Sequence, residues 1–127
     1  MTEIIIPYSK IIDSIDLIKN KLLNDGYILI NGIQGFESLY KEYIMNAKKF
    51  SSLSQEQQAE CTPTNSYELG WDRGREIFNG KRDVYKGSYY AFYPDTDKNL
   101  WPSSIPEYRT CYLKLTELIM NIGQEII

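Results

Sequence analysis

Ile11, Ile12, Ile15, Ile18, Leu22 and Leu23 recur at helical spacing, with Asp13, Asp16, Lys19, Asn20 and Lys21 between them. That periodicity predicts an amphipathic helix at about 10–24, with Ser9 as its N-cap and Asn24-Asp25-Gly26 as its stop. Before it, the β-branched run from Glu3 to Ile6, halted by Pro7, predicts a short strand at 3–6. After it, Tyr27-Ile-Leu-Ile30 closed by Asn31-Gly32 predicts a strand at 27–31, and its unbroken apolarity predicts burial on both faces.

A second amphipathic helix is predicted at 36–51, because Phe36, Leu39, Tyr40, Tyr43, Ile44, Ala47 and Phe50 fall on one face at a period of 3.6. Glu37 and Lys41 on its other face stand four apart in the favourable order. Ser54-Gln-Glu-Gln57 has the form of a capping box opening a short third helix that Pro63 ends. Thr, Pro, Asn and Ser between Thr62 and Ser66 signal a loop. Near the end, Ser104 as N-cap, Pro106 in the first turn and Glu107 at N3 predict a helix over 105–127. Its broad apolar face comprises Tyr108, Cys111, Tyr112, Leu115, Leu118, Ile119, Ile122 and Ile126. The pattern reaches Ile127 without a cap or a polar tail, so the sequence reads as cut within a helix.

The stretch from Tyr67 to Pro102 concentrates aromatics, glycines and both tryptophans between these helical flanks. Val84 to Tyr93 reads as extended, with a strand at 84–92. Alternation sets Tyr85, Gly87, Tyr89, Ala91 and Tyr93 against Lys86, Ser88, Tyr90 and Phe92, so both faces carry rings and both are expected to be covered. Trp101-Pro102 reads as a packing anchor that turns the chain into the last helix. The elements together predict a single α+β domain over 1–127.

Composition narrows the chemistry. Fourteen basic against 17 acidic residues give a formal charge of −3 with no basic run, which argues against nucleic acid as a partner. No apolar run approaches the roughly 20 residues of a membrane helix, and the amino terminus lacks a signal-peptide pattern, so a soluble cytoplasmic protein is expected. Cys61 and Cys111 match no redox or metal spacing and read as buried free thiols. The chain contains no histidine. Imidazole-dependent nucleophilic centres and His-ligated metal sites are therefore excluded within it.

Several segments in order carry a resemblance: Asp25-Gly-Tyr-Ile-Leu-Ile-Asn-Gly-Ile33, Ala47-Lys-Lys-Phe50, Leu53-Ser-Gln-Glu56, Tyr67-Glu-Leu-Gly-Trp71, Asp83 with Lys86-Gly-Ser-Tyr-Tyr90, Asn99-Leu-Trp-Pro102 and Pro106-Glu-Tyr-Arg109. Nearly the whole chain resembles the amino-terminal region of iron(II)/2-oxoglutarate-dependent dioxygenases of the isopenicillin N synthase-like branch. The resemblance implies helices and a few strands that pack on a double-stranded β-helix barrel. It also implies an oxidoreductase that, when complete, uses iron(II) and 2-oxoglutarate on a small-molecule substrate. In that family the barrel holds iron through His-x-Asp and a distal His, and Arg-x-Ser holds the 2-oxoglutarate carboxylate. Neither pattern occurs here, and none of Arg73, Arg75, Arg82 and Arg109 is followed by x-Ser. No cofactor, metal ligand or catalytic residue is therefore assigned within this chain.

The resemblance implies that the aromatic strand faces the barrel mouth, which makes Tyr89, Tyr90 and Ser88 candidate substrate-binding residues. Plain packing is the competing reading of the same rings. Arg73 and Arg75, in the glycine-rich turn Gly70 to Gly74, are candidates for holding an acidic substrate group, against a reading as solvated charges. Asp25, Asp72, Glu76 and Asp83 form no acid–base pair and are expected to be solvated. Two further expectations follow. The chain is either the non-catalytic part of an oxygenase or a stand-alone binding module. An apolar patch including some of Ile119, Ile122, Ile126 and the rings of 85–93 is left for a barrel or a second copy to cover.

Overall fold

The computed structural model describes residues 3–64 and 69–127. Tyr67 and Glu68 of the expected aromatic stretch lie outside them. Mixed helix and small sheets confirm the α+β class. Strand β1 (Ile5–Pro7) pairs in parallel with β2 (Leu29–Asn31), Ile6 opposite Ile30, across the helix α1 (Ile15–Asp25). Helix α2 (Phe36–Ser51) and the short α3 (Gln55–Ala59) follow. Strand β3 (Gly70–Arg73) pairs antiparallel with β6 (Gly87–Tyr90), and β4 (Ile77–Phe78) and β5 (Lys81–Arg82) form a small hairpin between them. Helix α4 (Pro106–Ile126) closes the chain.

Two apolar cores lie along α4, which at 21 residues is about 31 Å long. Its first half packs Tyr108 and Cys111 on Phe50 of α2 and on Cys61 and Ile105. Its second half brings Ile122 onto Ile6, Ile11 and Ile18, and Tyr8 donates to Glu125 at 3.0 Å. Asn46 of α2 is buried where α2 meets α4, its Nδ2 shared between Glu42 O and Cys111 Sγ.

Local chemistry explains where the elements start and stop. Gly26, at φ +78°, closes α1 with its N–H on Leu22 O, as its sequence position predicts. The Ser54–Gln57 capping box forms in full and opens α3. That helix ends at Ala59, before Pro63. The buried Gln58 turns back and donates to Phe50 O and Ser51 O, satisfying carbonyls at the end of α2 that the helix itself cannot. Glu37 and Lys41 form the expected i,i+4 pair at 2.6 Å.

Other expectations are corrected. Ser9 caps nothing: 8–10 and 12–14 wind as two 3₁₀ turns, and α1 starts only at Ile15. Burial of Ile11 in the core fixes these turns, while Ile12 and Leu23 of the expected apolar face are exposed. Ser104 is not a cap either, since Ile105 holds that position without a side-chain bond and Pro106, with its preset φ, opens α4. Tyr27 lies exposed outside β2, and Leu29 and Ile30 are only half-buried, so this strand is not covered on both faces.

Candidate functional site

The aromatic stretch resolves into a two-stranded ribbon shorter than its sequence suggests. Trp71 stands opposite Tyr89, and Arg73 opposite Gly87. In an antiparallel pair directly opposed residues share a face, so Trp71, Tyr89, Arg73 and Gly87 lie on one side and Asp72 and Ser88 on the other. The first side docks on the helices. The rings of Trp71 and Tyr89 meet Phe50 edge-on at 5.2 and 5.1 Å, and Tyr89 lies 5.0 Å from Tyr108 and 6.1 Å from Trp101. Tyr89 donates its hydroxyl to Leu100 O, and burial holds its phenol well above the ordinary tyrosine value.

The ribbon is held at one end by a backbone bond and at the other by a side chain that bonds the backbone. Gly70, at φ +72°, lies so near Cys61 O that a Cβ there would approach to 2.2 Å, and Trp71 N donates to the same oxygen at 2.7 Å. Beyond β6, Asn99 pairs with both backbone groups of Phe92, accepting from its N–H at 2.8 Å and donating to its carbonyl at 2.9 Å. Asp95 gathers Asn99, Trp101 and Arg109, whose Nη2 stands 2.5 Å from Asp95 Oδ2. These donors, Asn99 foremost, hold the Asp95 carboxyl below its usual range. Pro102 is fully buried and Trp101 packs on Tyr112 and Tyr108, which confirms this dipeptide as the anchor before α4.

The residues singled out from sequence do not converge. Tyr89 is a packing ring; Tyr90 is partly exposed on the opposite face. Ser88 borders a dimple of about 10 Å³ with Asp72, Glu76, Asp83 and Lys86, room for about one water. Lys86 is paired with Glu76 at 3.1 Å, and Asp83 accepts from the N–H groups of Tyr85 and Lys86. Asp72 departs from its expected solvation. It is buried, and its Oδ1 makes no hydrogen bond, the Arg75 Nε at 3.7 Å being a charge contact only. The turn expected at Gly70–Gly74 is instead mostly the strand β3, and the strand expected at 84–92 is only Gly87–Tyr90, so Val84 and Tyr85 lie outside the sheet.

Arg73 and Arg75 do come together, beside Trp71, which the sequence pattern assigned no role. A recess of about 290 Å³ between α3 and β3 is bordered by Gln55, Thr62, Trp71, Arg73 and Arg75. A second, of about 310 Å³, shares Trp71 and Arg73 and adds Ser51, Tyr85 and Gly87. Arg73 Nε donates to Val84 O at 3.0 Å, which leaves Nη1 and Nη2 without a hydrogen-bond partner among the described residues. Arg75 Nη2 donates to Pro63 O.

The chain has no histidine, and among the described residues no group of three His, Cys, Asp or Glu is placed to hold a metal ion. Cys61 and Cys111 are free, buried and unpaired, with burial pushing both thiols up. No helix among the described residues is long and apolar enough to cross a membrane. The chain matches no protein-family profile, no curated protein and no solved structure.

Proposed function

We propose that this chain is the amino-terminal, non-catalytic part of a 2-oxoglutarate/iron(II)-dependent dioxygenase acting on a small molecule. The jelly-roll barrel, its iron ligands and its Arg-x-Ser are supplied by residues outside these 127. The order of elements supports the reading: strand, helix and strand, then a helix pair, an aromatic ribbon and a long closing helix.

The observation that carries it is the exposure of large apolar side chains around the ribbon: Tyr85 is 98% exposed, and Ile77 and Phe78 are 71% and 74% exposed. Phe92, Tyr93 and Ile119 are also exposed. Large rings left in water cost a folded domain solubility unless something covers them. Of the residues expected in such a patch, Ile122 instead belongs to the core and Ile126 is half-buried against it.

Sedimentation velocity with a hydrophobic dye tests the proposal. The isolated chain is expected to bind the dye or to self-associate, and Tyr85→Ser with Phe78→Ser to reduce both. A dispersed monomer that ignores the dye at high concentration overturns it. The second reading, a stand-alone binding module, is favoured by the recess beside Trp71, which residues of this chain build by themselves.

A further inference from the structure

We infer that the paired recess over Trp71 binds a small organic acid, a carboxylate carried on a flat unsaturated or aromatic body. The inference is independent of the oxygenase reading, because every group it uses belongs to this chain. Three observations carry it. First, two recesses of about 290 and 310 Å³ meet at Trp71 and Arg73, and each lies near the lower limit of small-ligand sites. Second, among the described residues the charged groups bordering the recesses are the guanidinium groups of Arg73 and Arg75, the latter 3.7 Å from Asp72 Oδ1, in a chain whose net charge is −3. A local cationic concavity on an acidic protein selects anions by contrast with the rest of its surface.

Third, the apolar element is a half-buried indole, held edge-on against Phe50 and backed by Gly87. The missing side chain at Gly87 lets the indole lie against the backbone. An indole so fixed offers a flat surface for stacking without loss of side-chain freedom on binding. Arg73, tied at Nε to Val84 O, keeps its two terminal nitrogens for a bidentate carboxylate contact. Gln55 and Thr62 add neutral polar groups at the rim.

An NMR titration of the 127-residue chain tests this, following the Trp71 indole N–H and the Arg73 side-chain N–H. The probes are 2-naphthoate, its neutral counterpart 2-naphthalenemethanol, and inorganic phosphate. Expected is saturable movement of both signals by 2-naphthoate with a Kd of about 1 mM or tighter, as suits a ligand of that size. Arg73→Met should weaken it by about tenfold or more, and Arg73→Lys should restore part of the loss. Arg73 is exposed, so an unchanged spectrum elsewhere verifies that both variants fold. Equal shifts with the alcohol, equal shifts with phosphate, full affinity in Arg73→Met, or no saturable movement at Trp71 would each overturn the assignment.

Discussion

The indole of Trp71 lies so close to Gly87 that a Cβ at residue 87 would stand 2.1 Å from Cη2 and 2.7 Å from Cζ2. The two residues belong to neighbouring strands, two residues out of direct opposition and so on the same face, and the ring crosses the space that a side chain would take. Gly87→Ala is therefore expected to displace Trp71 from Phe50 and to destabilise the fold by about 1–3 kcal/mol. Urea unfolding followed by tryptophan fluorescence measures it. A midpoint equal to that of the parent chain would show that the ring moves aside at no cost.

Asn99 closes the far end of the ribbon. Buried, it bonds both backbone groups of Phe92 and the Asp95 carboxylate, three partners that no other residue type of its size matches at once. Asn99→Ala leaves an N–H and a carbonyl near the core unpaired and is expected to cost about 1–3 kcal/mol. Asn99→Asp keeps the acceptor, loses the donors and adds a charge beside Asp95, so it should be no better tolerated. Thermal unfolding of the two variants checks the order.

Stability should be level between about pH 5 and 8, because the chain has no histidine to titrate there. The buried phenols of Tyr89, Tyr108 and Tyr112 and the thiols of Cys61 and Cys111 hold their protons more tightly when folded, chiefly through burial. Their contribution is complete below the unfolded-state values and is lost as pH rises past about 8.5 for thiols and 10 for phenols. Asp95, held down in the fold, acts in the other direction, and its contribution falls away as pH drops below the ordinary carboxylate range. Melting temperatures across pH 3 to 11 should thus show a plateau with an alkaline fall. A maximum above pH 10 would contradict the burial of these groups.

What the sequence made legible was local and chemically self-contained. The φ +78° at Gly26 and the reciprocal bonds of Ser54 and Gln57 need only residues within one turn, and both were readable. Ser9 and Ser104 carry the same signal, but tertiary packing decided the helix starts: buried Ile11 joins two 3₁₀ turns, and Pro106 follows buried Ile105. The aromatic run announced a strand but not its length, because a strand extends only as far as its partner. Gly70 to Arg73 supply four positions, so pairing stops at Gly87 and Tyr90. Arg73 and Arg75 were visible as candidate anion contacts, whereas the place of Trp71 beside them at the same recess depended on that register.

The central claim is that these residues are one part of an oxygenase whose iron site lies elsewhere. Translation of the reading frame past Ile127 tests it most directly, with succinate formation from 2-oxoglutarate assayed on the product of that frame. The account predicts a barrel sequence carrying His-x-Asp, a distal His and Arg-x-Ser, and iron(II)-dependent succinate formation that the 127-residue chain alone does not show. A frame that ends without those residues, or succinate produced by the 127-residue chain itself, would contradict it.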